Sequence, residues 1–255
     1  MSDSPEYQAR KRFFDSLLTI YGRKPVLEAL QNPAISVYRL HLAESNRAGG
    51  IMDDILKLAG RKGIEVQYHD RKALSRISRN SKQDQGVAAD LQLNNYQHFQ
   101  DFLSEKGNKP YSLIALDGIT NPQNLGMIIR SVAASGCDGL LLPQKGSADI
   151  SPLVIKASAG TLFNCPIIRC STLSEALNAM QSTGAQVCTL SSHSKQSLNE
   201  FQPEGSVIYV LGNETEGVSK SVMERSDVQV KIPMHNGVES LNVAVTAALV
   251  AFKNS

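Results

Sequence analysis

The sequence lacks the features that would direct a protein into a membrane or out of the cell. Nowhere do about 18 apolar residues follow one another, which is the length that a membrane-spanning helix requires. The N-terminus, MSDSPEYQARKRFF, has neither the apolar stretch nor the small-residue cleavage site of a secretory signal. We therefore expect a soluble cytoplasmic protein with no membrane partner.

Cysteine is also scarce, and its spacing is typical of neither a disulfide framework nor a zinc site. No two cysteines form a C-x-x-C pair, and none has a histidine nearby at the spacing of metal ligands. We expect no metal, and we expect the thiols to be reduced and mostly buried. The four cysteines are Cys137, Cys165, Cys170 and Cys188.

The chain has no large excess of one charge, since its net charge is only +2. Residues 1–93 carry 15 Lys and Arg against 11 Asp and Glu, whereas residues 94–255 carry 11 against 13. A local basic surface of this kind can bind RNA phosphates, although ordinary solvated faces explain the charge equally well. The clustered cations are Arg10, Lys11, Arg12, Arg23, Lys24, Arg71, Lys72, Arg76, Arg79 and Lys82.

A length of 255 residues with 42% hydrophobic content favours two domains. Residues 1–13 are polar and charged, which predicts a flexible tail. Residues 14–93 alternate between helical and strand periodicity, which predicts a small α/β sandwich domain. Residues 94–111 are polar and contain GNKP near their end, so we expect a linker that is partly helical.

Residues 112–255 predict a second, larger α/β domain. The apolar strands SLIALDG, GLLLP, AQVCTLS and VIYVLGNE alternate with amphipathic helical segments, as in a doubly wound parallel sheet. No strand is followed by G-x-G-x-x-G, which argues against a dinucleotide-binding Rossmann domain and against a Rossmann-like methyltransferase. In open α/β sheets, ligands bind at the carboxyl ends of the strands, so the loops there are the candidate site.

The first such loop follows SLIALDG and leads into a helix. Asn124 lies in a polar turn, Gly126 opens the predicted helix, and Arg130 lies one turn further along. An arginine near a helix N-terminus suits a phosphate or another anion. A capped turn beside a surface arginine explains the pattern equally well.

Two further loops follow predicted strands in the same domain. VIYVL runs directly into Gly212, Asn213 and Glu214, where the glycine would allow a ligand to approach the backbone closely. After VQVKIPM, Ser240 and Asn242 begin an apolar helix. Turn formation and helix capping explain these residues without any ligand. However, a wholly apolar helix must be buried, so its polar start would lie at a covered site.

Together the three loops resemble the SpoU family of knotted SPOUT methyltransferases, which includes tRNA and ribosomal RNA ribose 2′-O-methyltransferases. The resemblance is carried by N-x-G-x-x-x-R from Asn124 to Arg130, L-G-N-E-x-x-G from Leu211 to Gly217, and I-P-M…S-L-N-V from Ile232 to Val243. The motifs stand in the order and spacing of the family.

The resemblance continues into the first domain. IYGRKPVLEAL (20–30) and QGVAA (85–89) look like the substrate-binding domain that many of these enzymes share with ribosomal protein L30e. Two positions differ from the usual pattern, since Asp84 stands where His is common and Ala244 where Ser is usual. These differences concern the choice of RNA and not the chemistry.

The resemblance implies a deep trefoil knot in residues 112–255 and an S-adenosylmethionine (AdoMet) molecule bound bent within it. It also implies a homodimer in which the final helix, Val243–Phe252, contributes to the interface, unless that helix packs wholly inside its own subunit. The implied cofactor contacts are main-chain groups of Gly212, Ile232 and Leu241, with Leu190, Met234 and Asn213 nearby.

For the chemistry, the resemblance assigns activation of the acceptor hydroxyl to Arg130. Because arginine keeps its proton up to a pH of about 12, we expect it to fix a phosphate or stabilise the forming alkoxide, and the proton acceptor stays open. The residues implied around Arg130 are Asn124, Glu214, Ser240 and Asn242.

The expected function is AdoMet-dependent methylation of a ribose 2′-hydroxyl in RNA, with ribosomal RNA favoured over tRNA because the L30e-like domain suggests structured RNA. Three alternatives stay open: ribose methylation of tRNA, base methylation, and a non-catalytic RNA-binding protein that keeps the knot as a scaffold.

Overall fold

A computed structural model describes Tyr7 and residues 13–14, 17–33, 35–92 and 96–253. Most of the tail predicted for residues 1–13 lies outside the described residues. The chain divides into two compact units, one of residues 1–96 with 150–152, the other of residues 97–149 with 153–255. None of the helices in the described ranges is both long enough and apolar enough to cross a membrane.

The first unit contains a four-stranded sheet in the order β1-β4-β2-β3, in which β4 is antiparallel to both neighbours and β2 is parallel to β3. Helices and strands alternate as the hydrophobic periodicity predicts. The elements are β1 Leu17–Tyr21, α1 Arg23–Gln31, β2 Ser36–Ala43, α2 Ile51–Lys62, β3 Glu65–His69, α3 Arg71–Ser78 and β4 Val87–Gln92.

The second unit is built on a seven-stranded sheet in the order β11-β9-β10-β6-β7-β8-β5, and the paired strands from β6 to β11 are parallel. The prediction of an α/β domain with a parallel sheet is confirmed. The strands are β5 Tyr96–His98, β6 Ser112–Leu116, β7 Gly139–Pro143, β8 Ile167–Cys170, β9 Gln186–Leu190, β10 Val207–Leu211 and β11 Val228–Val230. The helices are α4 Phe99–Lys106, α5 Pro122–Ala134, α6 Pro152–Ala157, α7 Leu173–Ser182, α8 Lys220–Met223 and α9 Val243–Ala251.

The segment 94–111 is predicted to be a linker, but from residue 97 onward it belongs to the second unit, to which it contributes most of β5 and all of α4. Phe99, Phe102 and Tyr111 are buried in the same core cluster as strands β6, β7 and β10. The polar composition of the segment conceals this, because a few aromatic rings are enough to hold a short helix against a sheet.

Strands β6 and β10 lie side by side at the centre of the sheet. The chain leaves β6 towards β7 on one side, whereas β10 is preceded by β9 on the other, so the strand order reverses between them. Residues 113–116 and 207–211 are all buried, as in parallel strands covered on both faces. Two of the three candidate loops therefore leave the sheet next to each other, at the switch point where such folds bind ligands.

The last helix, α9, packs against α5 but is not wholly buried, which corrects the expectation from its composition. Ala244, Ala247 and Ala251 face the core, because positions three and four apart share one side of a helix. The opposite side carries Val245, Leu249 and, just beyond the helix, Phe252, which are 45%, 47% and 47% exposed. The unit therefore presents an apolar stripe on its final helix.

Three of the four cysteines are buried, as predicted, and the fourth, Cys137, is half-buried. Burial raises the pKa of the Cys165, Cys170 and Cys188 thiols to about 12. At neutral pH these three side chains are therefore protonated and behave as small apolar groups.

Candidate active site

The three candidate loops bring two amides and one carboxylate into direct contact. Asn124 Nδ2 donates a hydrogen bond to Glu214 Oε1 at 2.6 Å. Asn242 Nδ2 donates to the same oxygen at 3.3 Å and to Asn124 Oδ1 at 3.1 Å. Each residue comes from a different sequence motif, so the fold joins three segments that are far apart in the chain. We call Asn124, Glu214 and Asn242 the amide–carboxylate cluster.

Both asparagines of the cluster stand at the start of a helix. Asn124 lies in the first turn of α5, which Asn121 caps by accepting from the main-chain N–H of Gln123 at 2.8 Å. Asn242 caps α9 itself, and its Oδ1 accepts from Ala244 N at 2.9 Å. Helix capping and site formation are thus not alternatives, because Asn242 caps with its oxygen and binds Glu214 with its nitrogen. The positive ends of two helices therefore lie beside the Glu214 carboxylate.

The loop that carries Glu214 is closed on itself. Asn213 and Gly217 exchange two main-chain hydrogen bonds of 3.0 and 2.8 Å, and Asn213 Nδ2 donates to Gly118 O beyond the end of β6 at 3.0 Å. A Cβ placed on Gly212 would lie 2.1 Å from Gly217 C and 2.2 Å from Val218 N. The sequence indicates Gly212 as a place where a ligand could approach the backbone. The structure shows that a glycine is needed there for the packing of the loop itself.

Gly126 has a similar packing requirement. It does not open the helix, as the sequence predicts, but lies inside α5, which begins four residues earlier at Pro122. A Cβ on Gly126 would lie 2.4 Å from Ala157 Cβ and 2.7 Å from Val154 O. The glycine of the first motif therefore allows α6 to pack closely against α5.

A cavity of about 720 Å³ lies beside the closed loop, within the size range of small-molecule sites. Glu214 and Ser240 line it, and Ser240 is exposed there. All six residues expected to contact the cofactor also line it, and these are Leu190, Gly212, Asn213, Ile232, Met234 and Leu241.

One wall of this cavity is formed by residues outside the three sequence motifs. Ser191, Ser192 and His193 follow β9 directly and line the cavity, as does Lys231 after β11. The position of these residues at the carboxyl end of a strand is the signal that could have identified them, since β9 neighbours β10 in the sheet. Polar composition alone did not distinguish them from an ordinary turn.

Arg130 is the predicted site residue that the structure does not join to the others. Its side chain is exposed, makes no hydrogen bond or ion pair with any described residue, and does not line the cavity. Six residues separate it from Asn124 along α5, which corresponds to a rise of about 9 Å and to a different face of the helix. Its role in the chemistry stays a prediction.

Both parts of the chain match models of known protein families. Residues 111–252 match the model of the SpoU rRNA Methylase family, and residues 19–97 match the model for RNA 2′-O ribose methyltransferase substrate binding. An uncharacterized tRNA/rRNA methyltransferase of Mycolicibacterium vanbaalenii is 36% identical over 247 residues, which are 95% of this chain and 77% of that protein. The chain belongs to the SpoU methylase family. The motif-based resemblance is thereby confirmed.

Solved structures similar to this SpoU-family chain show the same fold. An AdoMet-bound rRNA methyltransferase from Sinorhizobium meliloti superposes with a TM-score of 0.64 at 21% identity, covering 98% of this chain and 89% of that one. The SpoU methyltransferase AviRb from Streptomyces viridochromogenes, in complex with AdoMet, gives 0.62 at 21% identity, covering 98% and 92%. The similarity therefore extends over both units.

Proposed function

We propose that this SpoU-family protein transfers a methyl group from AdoMet to a ribose 2′-hydroxyl of RNA, with ribosomal RNA as the favoured substrate. The observation that carries the proposal is the amide–carboxylate cluster at the edge of the 720 Å³ cavity, which all six expected cofactor contacts line. Polar groups that serve only to cap helices would not converge from three loops onto one carboxylate oxygen.

The cavity has the chemistry that AdoMet requires. Leu190, Ile232 and Met234 supply apolar surface for an adenine ring. The main-chain N–H groups of Ile232, Met234 and Leu241 donate no hydrogen bond to any described residue, so they are available to a ligand. When bound, AdoMet supplies an electrophilic methyl group on a sulfonium, and the remaining chemistry falls to the protein.

The cluster gives Glu214 a defined role in that chemistry. Its Oε1 accepts from two amides, which fixes the orientation of the carboxylate, while Oε2 accepts no hydrogen bond from the described residues. We propose that Oε2 accepts the proton of the ribose hydroxyl as general base. Proton removal by a positioned side chain contributes about 10²–10⁴-fold to rates of this kind. Asn124 and Asn242 are positioning residues, and the exposed Ser240 lies where it can bind the RNA.

Arg130 fits a role at the site of a second subunit. It is exposed and separate from the cluster of its own chain, and the same unit presents the apolar stripe Val245, Leu249 and Phe252. We propose a homodimer that buries this stripe and brings Arg130 to the partner's acceptor phosphate or alkoxide. Analytical ultracentrifugation of wild type and Leu249→Asp tests the assembly, since a wild-type monomer would contradict it.

The remaining organisation is proposed from the family and the matched ranges. Residues 14–93 form the L30e-like domain that binds the RNA substrate, and residues 112–255 form the SPOUT domain with its deep trefoil knot. In this arrangement the loops after β10 and β11, which form two walls of the cavity, are the knotted segments. A cytoplasmic location agrees with an RNA substrate.

The decisive experiment maps ribose methylation in total RNA from cells with and without the gene, by resistance of 2′-O-methylated positions to alkaline cleavage. In cells without the gene, we expect one ribosomal RNA position to lose its protection from alkaline cleavage. The wild-type gene should restore the protection, whereas a gene that encodes Glu214→Ala should not. A change confined to tRNA would identify tRNA, and not ribosomal RNA, as the substrate. A methyl group found on a base would exclude the ribose hydroxyl as the acceptor. Calorimetry that detects no AdoMet binding to the intact protein would favour the non-catalytic alternative.

A further inference from the structure

A chain of polar side chains crosses the sheet of the first unit, with one residue from each strand. Thr19 Oγ1 on β1 donates to Asp90 Oδ1 on β4 at 2.6 Å. Asp90 Oδ2 lies 2.9 Å from His41 Nε2 on β2, and His41 Nδ1 lies 3.0 Å from His69 Nε2 on the edge strand β3. His41 is only 4% exposed, whereas His69 is partly exposed. None of these four hydrogen-bonded residues belongs to the candidate active site.

The hydrogen bonds fix the positions of the protons when both rings are neutral. The Asp90 carboxylate can only accept, so His41 must carry its proton on Nε2. Its Nδ1 is then an acceptor, and His69 must donate from Nε2. This leaves the outer nitrogen of His69, Nδ1, without a proton, and no described residue contacts it through a hydrogen bond. In the neutral pair the outer nitrogen is therefore an acceptor.

One added proton reverses the outer nitrogen wherever the proton resides. If His69 becomes the imidazolium, Nδ1 carries the proton directly. If His41 becomes the imidazolium, both of its nitrogens donate, so His69 must accept on Nε2 and again carries its proton on Nδ1. A second proton would set two N–H groups against each other at 3.0 Å. The pair therefore binds one proton as a unit, and that proton makes the outer nitrogen a donor.

The surrounding charges determine when the proton binds. Burial and the neighbouring His41 hold the pKa of His69 below its ordinary value, and Arg39 on β2 acts in the same direction. Asp70 at the start of α3 and Glu44 after β2 oppose them. Burial alone would raise the pKa of Asp90, but hydrogen bonds from His41 and Thr19 outweigh it and hold that pKa low. A carboxylate is thus present to balance the added proton.

We propose that His69 donates a hydrogen bond from Nδ1 to a phosphate oxygen of the RNA, and that RNA binding is thereby coupled to protonation of the histidine pair. A phosphate is the partner that fits, because the exposed cations Arg71 and Lys72 follow His69 in the first turn of α3. Phosphate contacts of this kind orient a nucleic acid without reading its sequence. The inference rests on the proposed function in taking RNA as the ligand.

The test is the pH dependence of RNA affinity at constant salt, measured by fluorescence anisotropy with an unmodified ribosomal RNA transcript as the probe. Wild type should bind more weakly as the pH rises through the pKa of His69, by up to about tenfold per pH unit for one linked proton. His69→Asn keeps a donor but cannot titrate, so its curve should be flatter. Gln67→Ala, on the same face of β3, is the matched control and should keep the wild-type slope.

Equal slopes for wild type and His69→Asn would overturn the inference, and so would nitrogen-15 NMR showing that the two rings take up two protons independently. Methyl transfer to RNA is measured in parallel. If methylation persists while the slopes are equal, only the inference fails. If pH-linked binding persists without methylation, only the proposed function fails. If no RNA binds at any pH, both fail.

Discussion

Gly212→Ala is a perturbation whose cost depends on space alone. The backbone of Gly212 is not in the left-handed region, so alanine brings no conformational strain there. The added Cβ would instead lie 2.1 to 2.4 Å from main-chain atoms of Gly217 and Val218. Real Cβ contacts are never this short, and backbone atoms cannot rotate away as the end of a side chain can. The closed loop has to open.

Overpacking of this kind costs about 1–3 kcal/mol. For a domain of about 150 residues, that corresponds to a lower Tm by about 2–12 °C, since each kcal/mol shifts Tm by about 2–4 °C. Opening the loop also moves Asn213 and Glu214, which form one wall of the cavity. We therefore expect weaker AdoMet binding together with the lower Tm.

Differential scanning calorimetry and isothermal titration with AdoMet measure the two effects. Gly205→Ala is the matched control, because a Cβ there has no neighbour within 4 Å and the backbone φ of Gly205 is not in the left-handed region that would strain an alanine. That variant should be neutral or more stable by about 0.4–1 kcal/mol through the unfolded state. A Gly212→Ala protein that melts within about 1 °C of wild type and binds AdoMet normally would refute the packing reasoning.

Three further predictions follow from single side chains. Arg130→Ala should abolish methyl transfer yet keep the wild-type Tm and AdoMet affinity, because the side chain is exposed and outside the cavity; near-normal turnover would exclude its role. The pKa of Asp90 is lowered from 3.8, so its ionised form stabilises the fold above that pH, and this contribution disappears as the pH falls through the lower, folded pKa. In urea unfolding, wild type should therefore be more stable than Asp90→Asn near neutral pH and should lose this advantage only in acid. With a thiol reagent at pH 8, at most Cys137 should react in the native protein and all four cysteines in denaturant, because burial raises the pKa of the other three to about 12; rapid reaction of a second thiol would contradict this.

Much of the fold follows from periodicity, because each strand and helix has to bury one face or one stripe. The apolar runs that become β6 and β10 are recognisable without any structure, and so is their parallel arrangement. Helix ends are less predictable. Glycine often ends a helix, yet α2 runs through Gly60 to Lys62 and ends at Gly63, whose φ of 64° lies in the left-handed region.

The members of the site could be predicted from the motifs, but their contacts could not. The sequence places Asn124, Glu214 and Asn242 after three strands. The strand order puts the ends of β6 and β10 side by side, whereas β11 lies at the edge beyond β9, so the contact of Asn242 depends on the path of the loop after β11. The sequence offers no means of separating Arg130 from these residues, because exposure depends on which face of α5 the residue occupies. The sequence gives no sign that His41 and His69 interact, because their contact arises from the register of β2 against β3.

The strand β5 has a practical meaning for anyone who dissects this protein. A fragment that starts at residue 111, where the methylase family match begins, would leave out β5 and α4. It would free the hydrogen-bonding edge of β8 and uncover the apolar ring of Tyr111, and a bare edge of this kind invites pairing between molecules. β5 and α4 thus protect this edge from such pairing, and a fragment that keeps them has to begin before Tyr96.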